Sequence, residues 1–170
     1  DELETVLREV ERVVTEVKKL NERTVRDDKE VVERVLREID KLLKEIREKV
    51  KEVKKKLRTE EVAERVVKEI KDRVDDIERR VDEALKESKR TVDESEREVK
   101  EMVERIEEMA RRVKGEDVER TVRKLLEEIK DSVRKSKEDV RRSVEEIERL
   151  VRKVKEDVKR LLRDIRERAK

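Results

Sequence analysis

The chain has 170 residues, of which 60% are Asp, Glu, Lys or Arg and 32% are apolar, with one Gly and no Pro, Cys, His, Trp, Tyr or Phe. Without His or Cys there is no imidazole base, no thiolate nucleophile and no zinc or iron ligand set, so the common routes to acid–base, covalent and transition-metal catalysis are closed. The 52 basic and 50 acidic residues leave a formal net charge of +2, an interspersed balance that argues against a nucleic-acid partner.

The first element is a helix over about 2–57. Its apolar residues recur at alternating spacings of three and four, as in Val32, Leu36, Ile39, Leu43, Ile46, Val50, Val53 and Leu57. That is a heptad seam, and no segment of the chain shows the period-two alternation of a strand. Between seam positions, acids stand four residues before bases, as in Asp40 to Lys44 and Glu45 to Lys49, each pair adding about 0.2–0.5 kcal/mol to a helix. The first break falls near 58–59: Lys54, Lys55 and Lys56 suit a last turn, Thr59 an N-cap, and Glu60 and Glu61 a first turn.

A second helix follows over about 60–114. It ends where Arg111 and Arg112 lead to Gly115, which fits a C′ glycine, with Glu116 and Asp117 opening the next element. Met102 and Met109 fall on its seam and read as core filler. The third helix covers about 117–169, with a short loop at 115–116. Three segments of nearly equal length predict a single all-α domain, 1–170: an antiparallel up-down-up three-helix bundle, a coiled-coil rod about 80 Å long at 1.5 Å per residue. Residues 1–58 carry 18 basic and 16 acidic side chains, 59–115 carry 15 and 19, and 116–170 carry 19 and 15, so an acidic middle helix faces basic neighbours.

Polar residues interrupt the seam at one level of each helix. Helix 1 reads Val17, Asn21, Thr24, Asp28; helix 2 reads Ala84, Ser88, Thr91, Ser95, Val99; helix 3 reads Ile129, Ser132, Ser136, Asp139, Ser143. In an antiparallel hairpin, residues at one height have numbers totalling twice the loop centre. Asn21 with Ser95, and Asp28 with Ser88, total 116; Ser95 with Ser136, and Ser88 with Ser143, total 231. Both totals return the loop positions found independently. Three stacked layers follow, Asn21/Ser95/Ser136, Thr24/Thr91/Asp139 and Asp28/Ser88/Ser143, with Ser132 at one margin. Val25, Leu85, Val92, Val133, Val140 and Val144 flank them. Ionised Asp accepts, Ser and Thr donate and accept, and Asn does both, so the set can satisfy itself and penalise a slipped register.

The same residues also invite a cation reading through Asp28 and Asp139. Calcium takes six to eight oxygens and magnesium an octahedral set, which two carboxylates on separate layers do not supply, so no metal, cofactor or catalytic residue is expected. The Lys-rich stretch 49–56 carries Glu52 and no aromatic, and reads as a solvated helix C-terminus, neither a membrane nor a nucleic-acid contact. No window nears 18 consecutive apolar residues and the start, Asp1-Glu2-Leu3-Glu4, is acidic, so neither a membrane span nor a targeting signal is expected, and localisation stays open.

This short alphabet, the loops Thr59-Glu60-Glu61 and Lys114-Gly115-Glu116-Asp117, and the three polar layers together resemble computationally designed helical bundles, over the whole chain. One departure is heavy use of Val with only Ala63, Ala84, Ala110 and Ala169, where helix propensity alone favours Ala. Natural three-helix rods such as spectrin repeats are similar in outline but use aromatics. The resemblance implies a protein without a natural biochemical function: not an enzyme, but a monomeric structural protein or rigid scaffold requiring no partner. The alternative is an interaction module that pairs with a designed partner helix or a second copy of itself.

Overall fold

The structure, a computed structural model, describes residues 2–56, 60–113 and 115–169, and the side chains within 4–52, 60–113 and 115–168. It contains three helices, α1 (Glu2–Lys56), α2 (Glu60–Arg112) and α3 (Glu116–Ala169), and among the described residues no strand. They form because the seam supplies one apolar face per helix and no Pro interrupts it. Acids open α2 and α3, at Glu60 and Glu61 and at Glu116, Asp117 and Glu119, and bases close them, at Arg111 and Arg112 and at Arg166 and Arg168, each sign opposing the helix dipole. The three helices pack against one another as a three-helix bundle.

At the second turn the structure corrects the reading of Gly115. No positive φ occurs among the described residues, and the Gly115 carbonyl accepts a bond from the Glu119 amide at 3.1 Å. Gly115 is therefore the N-cap of α3 and not a left-handed residue closing α2, which instead tightens through a Val113 N–H to Ala110 carbonyl bond of 3.3 Å. A Cβ built at Gly115 would meet Val118 Cγ2 at 3.6 Å, an ordinary contact. The expected Thr59 cap and the seam residues Val53 and Leu57 lie outside the described side chains.

The chain divides into two compact units, Asp1–Lys29 with Glu87–Arg142, and Glu30–Lys86 with Ser143–Lys170. In the first, Val10, Val14, Val17, Val99, Ile106 and Ile129 belong to one buried apolar cluster drawn from all three helices, with Met102 packed half-buried against it. In the second, Ile39, Leu42, Val74, Ile77, Val151 and Val154 line a void of only about 10 Å³, so side chains of all three helices meet there with little wasted space.

Within the second unit the seam of α1 runs through Val35, Ile39, Leu42 and Ile46, all buried, while Leu36 is 39% exposed and Val32 and Leu43 are half-buried. The seam expected from Val32 is thus rotated by a fraction of a turn. An apolar stripe wider than two columns admits two alternating series, and spacing alone does not choose between them.

Also in the second unit, Arg73 clamps Glu45 of α1 with a two-pronged bond, Nε to Oε2 at 2.8 Å and Nη2 to Oε1 at 3.2 Å, and reaches Asp76 at 3.2 Å. The hydrogen bond from Arg73 holds the Glu45 carboxyl below its ordinary range, against a smaller opposing effect of burial. Since the folded carboxyl releases its proton at lower pH than the unfolded one, its stabilisation is complete above the unfolded pKa, about 4.3, and is lost as pH falls through the folded value. Both side chains are about a third exposed (33% and 31%), so the pair is worth below about 1 kcal/mol. Glu45→Gln is expected to cost that much at neutral pH and nothing near pH 2, measured by denaturant midpoints at both; an equal cost at the two pH values would contradict it.

Candidate functional site

The first unit holds the polar residues that break the seam. Asn21, Thr24, Asp28, Ser88, Ser95 and Ser136 are buried; Thr91 and Ser132 are half-buried. Ser143, which falls in the second unit, is half-buried. Asp139 is exposed, contrary to the layer drawn for it. On α3 the step from Ser136 to the next inward position is four residues, to the buried Val140, and the helix turns its aspartate outward, where the carboxylate keeps its hydration.

Hydrogen bonds between helices tie this level together. Asn21 Nδ2 donates to Ser132 Oγ at 2.7 Å, joining α1 to α3. Thr24 Oγ1 and Ser95 Oγ lie 2.6 Å apart, joining α1 to α2. Thr24 Oγ1 also donates its single proton to the Leu20 carbonyl at 3.0 Å, so in the contact with Ser95 it is the acceptor and Ser95 the donor. Thr91, by contrast, bonds its own helix, at the Glu87 carbonyl, 3.0 Å away.

These partners differ from the expected layers by about one helical turn, and side-chain direction is the reason. The ends of α1 and α2 put their midpoint at residue 58, so residues at equal height total 116. The pair that touches, Thr24 with Ser95, totals 119. Each Cβ leans toward its own helix N-terminus, and in an antiparallel pair the two leans are opposed, so the tips meet only when both residue numbers are larger. In the parallel pair α1 and α3 the leans cancel. There Asn21 meets Ser132, 111 positions on, and Lys18 meets Glu128, 110 on, close to the 112 implied by the helix ends. The expected offset of 115 implies a second turn centred beside Gly115, whereas Gly115 caps α3 and the helix ends centre that turn at 114.

On the α1–α3 side a cleft of about 570 Å³ reaches the polar residues, lined by Asn21, Ser132 and Ser136 with Lys18, Glu22 and Asp139 at its rim. Beside this amide and two hydroxyls the lining carries further charged groups, Glu128, Asp131 and Lys135. Asn21 is a neutral donor to Ser132 and cannot take a proton from it, so neither serine is activated as a nucleophile by that contact. Among the described residues no group of three or more acids is placed to hold a metal ion.

The Oγ of Ser88 is buried with no hydrogen-bond partner among the described residues. A buried hydroxyl left unmatched costs about 1–3 kcal/mol. Ser88→Ala removes it and adds helix propensity, and is expected to raise stability by about 1 kcal/mol, read as a higher urea midpoint with unchanged slope. A lower midpoint would mean the hydroxyl is matched in solution.

Sequence reasoning passed over a second feature, a groove of about 910 Å³ between α2 and α3 of the first unit. Its signal was present in Lys130, Arg134, Lys137 and Arg141, which recur at the seam's own spacing beside it.

No protein-family model matches the chain, and no curated protein matches it. A solved structure described as a computationally designed three helix bundle is similar over 99% of this chain and 92% of its own, at 16% identity and a TM-score of 0.55. That likeness carries the fold. Among the described residues no helix is long and apolar enough to cross a membrane.

Proposed function

We propose that the chain is a designed structural protein, a rigid monomeric scaffold, and that its central polar residues, Asn21, Thr24, Ser95 and Ser132 first among them, serve its register and no chemistry. The observation that supports this most is the pair of interhelical bonds, Asn21 to Ser132 and Ser95 to Thr24, set in an otherwise apolar seam. One hydrogen bond of this kind adds little net stability, while each slipped register would leave its members unmatched at about 1–3 kcal/mol apiece. The amino-acid alphabet supports the designed origin: the surface is mostly Glu, Asp, Lys and Arg, and the core mostly Val, Ile and Leu without one aromatic.

Light scattering with small-angle X-ray scattering tests the reading. The expected particle has the mass of one chain, 20.6 kDa, and a maximum dimension of about 80 Å, with unfolding midpoints independent of protein concentration. A particle of twice that mass at low micromolar concentration, or one near 250 Å long as a single continuous helix, contradicts it.

A further inference from the structure

The α2–α3 groove of the first unit combines an apolar floor with a charged rim. Its floor is four apolar side chains: Val99 and Ile129, buried, and Val103 and Val133, half-buried. Val99 and Ile129 belong to the core cluster beneath, and Val103 and Val133, packed against it, stay part-exposed and give the groove an apolar strip on which the apolar stripe of another helix would lie. Along α3 the lining runs from Glu127 to Arg141, a length of about 21 Å, or roughly two heptads of a helix lying along the groove.

The rim says what kind of helix. Its lining carries five bases, Lys100, Lys130, Arg134, Lys137 and Arg141, and three acids, Glu96, Glu127 and Glu138. Lys137 is paired across the groove with Glu96, Arg134 with Asp131 and Arg141 with Glu138. Among the described residues Lys100 and Lys130, one on each wall, enter no ion pair, and Glu127 is the one rim acid without a cation. A helix with acidic flanking positions would meet the two unpaired ammonium groups and add to cations already held in place, whereas a basic helix would meet a net positive rim. A nucleic acid fits poorly, because the floor is apolar and the chain has no aromatic for bases to stack on.

We propose that this groove docks an acidic amphipathic helix of another chain, its apolar stripe on Val103 and Val133 and its carboxylates at Lys100 and Lys130. The scaffold reading does not depend on this.

The test uses the full chain and two fluorescein-labelled synthetic helices of three heptads, both with Leu at the two core positions, one with Glu and one with Lys at the flanking positions. Anisotropy titration is expected to give saturable binding of the Glu peptide about tenfold or more tighter than the Lys peptide, weakened by added salt. Lys100→Glu with Lys130→Glu leaves the apolar residues intact and should reverse the preference, with circular dichroism confirming that the helices persist. Val103→Lys should abolish binding of both peptides. Equal binding of the two peptides, no saturation below about 1 mM, or an unchanged preference in the double variant would overturn the proposal. So would a concentration-dependent dimer of the chain alone that Val103→Lys abolishes, since the occupant would then be a second copy.

Discussion

Truncating Ile70 or Ile106 to alanine is expected to lower the stability of the chain by about 2–5 kcal/mol in either case. Both side chains are fully buried, at 0% exposure, Ile106 in the apolar cluster of the first unit and Ile70 within the second. The loss combines the transfer free energy of the removed carbons with the cavity left in a close-packed interior. Alanine's higher helix propensity returns less than about 0.7 kcal/mol of it. Against a total stability of roughly 5–15 kcal/mol, either change is large.

The same pair of variants tests whether 1–170 unfolds as one domain. Each of α1, α2 and α3 contributes residues to both units without a break. Melting one unit alone would create a new end in the middle of each helix, with up to four unsatisfied backbone groups per end. A single transition is therefore expected, shifted to lower urea by both variants with an unchanged slope. Two transitions, one moved only by Ile106→Ala and the other only by Ile70→Ala, would show two separately stable parts.

How much of this was legible in the sequence depended on the kind of signal. The helices announce themselves through the three-and-four spacing and through charge signs at their ends, because those features are local. The buried level of Asn21, Thr24 and Asp28 was legible for the same reason: polar residues on an apolar seam are conspicuous. Which side chains touch was not. Thr24 with Ser95 depends on the lean of Cβ bonds, and the offset between Asn21 and Ser132 depends on how many residues each turn consumes. Asp139 shows a third limit, since one residue of rotation separates a buried from a solvated position, and the hydration of a carboxylate decides between them. The choice between the series through Leu36 and that through Val35 and Leu42 in α1 is likewise a packing outcome. Both series are apolar.

Replacing Asn21, Thr24, Asp28, Ser88, Ser95 and Ser136 together with Val or Leu is expected to leave the chain at least as stable, because close apolar packing matches or exceeds a buried polar set. Uniqueness should suffer instead. An all-apolar seam no longer penalises a one-heptad slip or pairing between chains, so dimer or a mixture of masses is expected where the parent shows one species. Single changes at the hydrogen-bonded members should behave in the opposite way. Thr24→Val leaves the Ser95 proton without its acceptor and is expected to cost about 1–3 kcal/mol. Ser95→Ala should cost less, because the Thr24 proton keeps its bond to the Leu20 carbonyl and only a lone pair loses its partner. Asn21→Val falls between them, since Ser132 is half-buried and can turn toward water. The measurement is a urea series on the parent, the three single variants and the all-apolar variant, with solution mass determined for each. A harmless Thr24→Val beside an all-apolar variant that is strongly destabilised yet still a single monomeric species would mean that these residues support stability by some other route. The register role assigned to them would then fail.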